Sequence, residues 1–522
     1  MRRSEVTSAT SRRAALAAIG LLFPILLAAQ NYVFGPNVRV NDDSAGWFNH
    51  MMVAPGQHLI AARGDTVYLV WQDYRDGVHV YFARSNDGGT TFLPNVRVDR
   101  SNQGGNPSLT IDDSGVIHVS WMNGNPGGGG FAHYAKSVDG GLSFLPPVRA
   151  CDSLYRTQPG APSIAVTRTG RNVYVARYER WDGDGAYAIW LARSTDGGNT
   201  FLAPNTLIRL DSTHDLWDPS VATFGDSVVL VAWMRIDTSV APLDADVYFA
   251  RSTDAGSTFG PALLLNDTSG GNRDQQGVPS VVVDETGSVF VGYVGVLPCG
   301  LGFAASSDTG RTFGHERSLP LPFQNGTLSV SLFVALGSRL FVSWYYRDDL
   351  TTHNKVGFSF STDGGATFAP RSHPSDAPDS TDEVESTVTA NADGRVFIAW
   401  CDNRVHPLGF NTDVYFAAGE QSAIGETHAP VVRDTLLAVT PDPAASSVGV
   451  EFCLPAAVAV HLEVYDLLGR RRQVLFDGTV AAGSHKQVWN GLDRGGRRAE
   501  PGIYIIQLRT PTRSISRKVV ML

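Results

Sequence analysis

Ser85-Asn86-Asp87-Gly88-Gly89-Thr90-Thr91-Phe92 decides the fold, because its pattern returns five more times along the chain. The further copies run Ser137 to Phe144, Ser194 to Phe201, Ser252 to Phe259, Ser306 to Phe313 and Ser361 to Phe368, and all fit S-x-D-x-G-x-T/S-F. Their aspartates, Asp87, Asp139, Asp196, Asp254, Asp308 and Asp363, stand 52, 57, 58, 54 and 55 residues apart, a narrow period that marks a repeat architecture. The octet suits a tight connection between antiparallel strands. Its Asp and Ser can bond nearby backbone N–H groups, its glycines permit φ > 0, and its Phe anchors the turn.

Working outward, each octet follows an apolar strand ending in an aromatic: Val67 to Trp71, Ile117 to Trp121, Val173 to Tyr178, Val229 to Trp233, Val289 to Tyr293, Leu340 to Trp344 and Val396 to Trp400. That is seven strands, one more than the octets. Near-continuous apolar character is expected where a sheet is covered on both faces. A further strand precedes each octet, clearest in Val80 to Ser85, Val247 to Ser252 and Val414 to Ala418, and an outer strand follows it, as in Phe92 to Val98. With an inner strand such as Pro107 to Ile111 or Pro279 to Val283, each repeat offers four strands.

The seventh repeat stops at Val414 to Ala418 with no octet, while Phe34 to Val40 at the other end nearly repeats Phe92 to Val98 with nothing before it. This orphan strand is expected to complete the last repeat and close a ring, removing open sheet edges. The expected fold is all-β: a seven-bladed β-propeller over residues 31–421, then a small Ig-like β-sandwich. A linker is expected over 422–440 and the second domain over 441–522.

The octet resembles the Asp-box, or bacterial neuraminidase repeat, of sialidases and related β-propellers, which implies that the six aspartates are structural and lie away from any active site. The succession Leu462 to Arg470, Ala482 to His485, Trp489-Asn490-Gly491, Pro501 to Tyr504 and Arg517 to Leu522 resembles the C-terminal sorting domain of type IX secretion. The resemblance implies passage across an outer membrane by that machinery, with the product released or attached at the surface. Pro441-Asp442-Pro443 stands where that family usually opens on Pro-Asn-Pro.

A chain of 522 residues, 43% hydrophobic and 18% charged, has ample material for a core, and its net charge of −9 argues against nucleic acid as a partner. Arg2, Arg3, Arg12 and Arg13 precede the apolar run Ala14 to Ala29, so residues 1–29 read as a cleavable signal peptide and the product as secreted or attached to the outer surface. The four cysteines, Cys151, Cys299, Cys401 and Cys453, have neither the pairing nor the spacing of a zinc site, and no metal or cofactor is expected.

Alternating strand direction puts the octets on one face of the ring and the second-to-third loops on the other, where ligand sites favour a concave mouth. Two W-x-D-x-R copies, Trp71 to Arg75 and Trp400 to Arg404, fall there in neighbouring blades. Arg75, Arg235, Arg347 and Arg404, with Asp73 and Asp402, are the candidate ligand-binding set. Their alternative is pairing within their own hairpins. Sialidases use a tyrosine nucleophile assisted by a carboxylate, and the resemblance implies Tyr345 or Tyr346 with Glu383 or Glu385 in those roles. The Arg-Ile-Pro signature of that family is absent. Two functions follow as expectations: a glycan-directed propeller, whose enzymatic form is an exo-sialidase-like glycosidase, or a non-catalytic surface adhesion propeller.

Overall fold

A computed structural model describes residues 31–43, 50–52, 58–100, 103–124, 130–151, 160–180, 187–208, 214–237, 244–266, 276–295, 300–318, 329–337, 339–347, 353–405, 411–421, 436–440, 447–454, 458–480, 483–511 and 514–522. The expected signal peptide lies outside the described residues, as do Trp181, Asp182, Arg273, Asp274, Cys299, Asp348 and His406. Every regular element described is a strand.

In the first octet Ser85 Oγ donates to Asp87 at 2.7 Å and accepts the Gly89 N–H at 2.8 Å, while Asp87 accepts the Thr91 N–H at 2.9 Å and its hydroxyl at 2.7 Å. The same four bonds recur in the other five copies, as at Ser137, Gly141 and Ser143 around Asp139. Both glycines sit at positive φ, 69° for Gly88 and 85° for Gly89. The first can be replaced: Ala255 and Thr309 hold that place at φ 56° and 61°. The second cannot, because a Cβ on Gly89 would lie 1.9 Å from the Phe416 ring, and one on Gly141 2.4 Å from Phe82.

Those rings belong to the preceding blade, so the octet Phe that anchors the turn does so against a neighbouring sheet. Phe92 packs edge-on to Phe416 at 5.3 Å, Phe201 to Tyr134 at 5.5 Å, Phe313 to Phe249 at 4.8 Å and Phe368 to Phe303 at 5.9 Å. Each such pair contributes roughly 0.5–1.5 kcal/mol beyond its area burial. Every octet is thus a fastener between blades.

Among the described residues, seven sheets form the propeller. The first contains Ile60–Arg63, Thr66–Asp73, His79–Ser85 and Val96–Arg97, with His50–Met51 beside the second strand. Inner strands of successive blades touch one another, and the seventh, Glu383–Ala390, touches Ile60–Arg63 of the first, so the ring is closed. The closure is made as the sequence suggests. Tyr32–Phe34 and Val38–Arg39 both pair with Asp413–Gln421 of the last blade, with Val38 opposite Phe416 and Arg39 opposite Tyr415. The chain is an all-β propeller.

Trp71, Trp121, Trp233, Tyr293, Trp344 and Trp400 are fully buried at one position of the second strand. Blade 3 departs from the sequence expectation there. Pairing sets Val173 opposite Ser194, as Val67 is opposite Ser85, so Arg177 rather than Tyr178 takes the tryptophan's place. Its buried guanidinium is satisfied by Glu179 at 3.0 Å and Asn205 at 3.0 Å. Tyr178 moves one residue on, to the mouth of the ring.

The inner strands carry a second repeated device. Ser108, Ser163 and Ser220 accept the N–H groups of Ile164, Val221 and Val281, each in the next blade, at 3.1 to 3.3 Å. Just before Ser108, Ser220 and Ser280, pairing slips by a bulge at Gly105/Ser108, Trp217/Ser220 and Gly277/Ser280, and the seventh blade slips at Val384/Thr387. The bulges put non-glycine residues at positive φ: Asn106 at 50°, Asp218 at 47°, Val278 at 54° and Glu385 at 58°. Three of these precede proline, where extended backbone is the norm, so the strain is on the order of 1–3 kcal/mol each.

The C-terminal residues form a three-stranded and a four-stranded sheet around one core containing Val450, Phe452, Leu462, Trp489, Ile506 and Val519. Leu436–Thr440, inside the expected linker, is a strand of this unit paired with Val448–Leu454, so the linker is shorter than 422–440. Its apolar Leu436-Leu437-Ala438-Val439 run supplies an edge strand.

Candidate functional site

The mouth opposite the octets is built from the bulged starts of the inner strands and the ends of the second strands. The residue after each buried tryptophan faces the next blade. Gln72 accepts the Asn106 N–H at 3.0 Å, and a Cβ on Gly277 would lie 2.4 Å from Met234 Sδ.

Between blades 3 and 4 this geometry assembles an aromatic group. Tyr178 and Tyr187 each stand 4.9 Å from Trp217, and 5.9 Å from each other. All three are half-buried. Asp218 follows Trp217 on the bulge, and burial alone pushes its carboxyl up to about 7. Burial and then the charge of Asp218 push the Tyr178 phenol up. Asp215, at the start of the same strand, accepts the Tyr187 N–H at 2.9 Å and sets that ring.

Glu385 holds the corresponding bulge in blade 7. Burial pushes it up to about 7, against a hydrogen bond donated by the Met52 N–H at 2.8 Å. The neighbouring Glu383 is different. Burial opposes its charge, but His373 at 2.8 Å and Lys355 at 3.5 Å outweigh that and hold its carboxyl low, while it also accepts the Val356 N–H. Tyr346 is 2% exposed and lies under the Arg371 guanidinium at 4.2 Å, whereas Tyr345 packs partly buried against the blade 7 core. Of the four residues expected to be catalytic, Glu385 alone combines the mouth position with a carboxyl that titrates near neutrality.

The expected carboxylate clamp finds its arginines occupied. Arg75 grips Asp73 at 2.8 Å, reaches Asp42 at 2.6 Å and lies over the Tyr81 ring at 4.2 Å. Arg404 repeats this on Asp402 at 2.7 Å, Asp376 at 2.7 Å and the Tyr415 ring at 3.8 Å. Arg235 bonds Asp246 at 2.8 Å over Tyr248. Trp71 and Trp400 donate Nε1–H to Asp73 and Asp402, which explains the W-x-D-x-R spacing as a hairpin brace. Among the described residues the three guanidinium groups share no partner, and Arg347 is exposed at the end of its strand.

His50 lies beside the first brace, its Nδ1 2.6 Å from the Thr412 carbonyl and its Nε2 3.4 Å from Asp43 and 3.3 Å from Asp73. Burial opposes its charge, yet the two carboxylates raise it to about 9. On the octet side the channel holds a cavity of about 300 Å³ lined by inner-strand apolar residues and His58, which burial lowers to about 4. Among the described residues, no group of three His, Cys, Asp or Glu side chains could hold a metal ion.

Sequence reasoning missed Trp217, Asp218 and Tyr187. The signal was the x-Pro-Ser run shared by Asn106-Pro107-Ser108, Asp218-Pro219-Ser220 and Val278-Pro279-Ser280, where the variable residue before Pro marks the bulge.

Ring and mouth define a closed propeller with aromatic rings and protonatable acids at the face opposite its turns. No family model matches the chain, and no curated protein matches it. Among solved structures, the chain is similar to an ulvan lyase of polysaccharide lyase family PL25, with 12% identity over 74% of this chain and 95% of that one at a TM-score of 0.49. A Hadza microbial sialidase is similar at 16% identity over 67% and 73%, with a TM-score of 0.41. The GH93 α-L-arabinofuranosidase of Fusarium graminearum with arabinobiose is similar at 12% identity over 61% and 93%, with a TM-score of 0.42.

Proposed function

We propose that this chain is an exported propeller that recognises glycans at the blade 3–4 mouth. The observation that carries the reading is the aromatic group Tyr178, Tyr187 and Trp217 around the protonatable Asp218. Sugar rings offer apolar C–H faces to stack on such rings and hydroxyl oxygens that accept from a neutral carboxyl, and a shaped apolar site with a few converging polar groups is the usual form of a ligand site. Because Arg75, Arg235 and Arg404 are closed on carboxylates of their own blades, the favoured ligand is a neutral sugar rather than a sialic acid.

A hydrolytic reading is supported by Asp218 itself, since a carboxyl near 7 suits a general acid for a glycosidic oxygen. Export by the amino-terminal segment, and sorting by the C-terminal unit, complete the proposal. The test is a glycan array with the full chain and with Trp217→Ala. Binding of neutral glycans that the variant loses supports the reading; no binding on the array, or equal binding by the variant, ends it.

A further inference from the structure

One end of the C-terminal unit is made by two turns of the same design. In Asp466-Leu467-Leu468-Gly469-Arg470, Asp466 Oδ1 accepts the N–H groups of Leu468 and Arg470, both at 3.0 Å, and Gly469 sits at φ 74°. In Asp493-Arg494-Gly495-Gly496-Arg497, Asp493 Oδ1 accepts those of Gly495 at 2.9 Å and Arg497 at 3.0 Å, and Gly496 also sits at φ 74°. The Arg494 N–H donates to the Arg472 carbonyl at 2.9 Å, locking the two turns side by side. The two aspartate side chains and the backbone hold the shape, and the other side chains protrude.

Those side chains are of two kinds. Leu468 is 76% exposed, the most exposed large apolar side chain among the described residues, and Leu467 is 66% exposed. With them on this end stand Arg494 and Arg497, both exposed, and Arg470, exposed and bonded to Asp466 at 2.8 Å. The charge is local: residues 441–522 carry eleven Lys and Arg against seven Asp and Glu, in a chain whose net charge is −9.

We infer that this end docks on an anionic lipid surface. Two leucines on a narrow, rigid tip present too little area for a flat protein interface. They can enter the boundary between headgroups and acyl chains without a matched pocket, while the flanking guanidinium groups meet lipid phosphates. The acidic remainder of the chain is repelled by the same surface, so the field orients the molecule with this end inward. The inference is independent of what the propeller mouth binds.

The test is co-sedimentation of the full chain with vesicles of phosphatidylcholine alone and with phosphatidylglycerol added. Binding is expected only with the anionic lipid, weakened by salt, and at least about tenfold weaker in Arg494→Ser/Arg497→Ser. Leu467→Ser/Leu468→Ser, made separately and confirmed folded by circular dichroism, is expected to lose binding as well. Absence of binding by the full chain, equal binding to neutral vesicles, or unchanged binding in either folded variant overturns the inference.

Discussion

The ring of Phe144 stands edge-on to Phe82, centroids 5.2 Å apart at 73°, so the turn of blade 2 is fastened to the third strand of blade 1. Gly141 lies under the same ring, where a Cβ would meet Phe82 at 2.4 Å. Phe144→Ala is expected to cost roughly 3 kcal/mol, and Gly141→Ala at least as much through strain and overlap. Gly225→Ala, at φ 59° with nothing within 4 Å of the added Cβ, is the control and should cost only about 1 kcal/mol. Denaturant unfolding compares the three, and equal losses at Gly141 and Gly225 would contradict the fastener.

Ring closure depends on Tyr32–Phe34 and Val38–Arg39, with Arg39 and Asn41 both donating to Asp413 at 2.7 Å. Removing residues 31–41 uncovers the last blade's third strand and should lower the melting temperature and produce concentration-dependent association. Size-exclusion chromatography reads the second effect.

Asp218 and Glu385 are both raised to about 7 by burial. Their folded values exceed the unfolded ones, so the neutral forms carry a stability that is present in acid and lost as pH rises through about 7. Asp218→Asn is therefore expected to raise the melting temperature at pH 8 and to leave it little changed only near pH 4, at the unfolded carboxyl's own value. If neutral Asp218 donates to a sugar oxygen, wild-type binding falls above pH 7 while the amide variant binds equally at both values.

His50 gives a different pH signature. Raised to about 9 between Asp43 and Asp73, it contributes a stability fully present below its unfolded value near 6.5 and lost as pH rises through about 9. His50→Gln should cost on the order of 2 kcal/mol at pH 7 and much less at pH 10. Melting curves across that range check the sign.

Arg404→Ala and Arg75→Ala remove a hairpin brace that also covers Tyr415 or Tyr81. Each is expected to destabilise by about 1–3 kcal/mol and to leave glycan binding at the blade 3–4 mouth unchanged. Weaker binding by stable variants, read by titration calorimetry, would restore these arginines to the site.

The propeller was legible in the sequence because its determinants are local and repeated. Asp87 bonds a backbone four residues on, Trp71 braces a side chain two residues on, and the orphan Phe34 to Val40 nearly copies Phe92 to Val98. What faces the next blade was not legible. The partner of Phe144 is 62 residues away in sequence, and the tryptophan position of blade 3 went to Arg177 because strand pairing, not aromatic character, sets the register. Tyr178 and Trp217 meet only across a seam between sheets, and Asp218 becomes a protonatable group only once a bulge turns it into a buried mouth. The sequence by itself determined the repeat, its turns and the count of its blades, since these depend on bonds within a few residues. The tertiary structure decided which side chains converge and what burial does to their charge, because both depend on neighbours that only ring closure brings together.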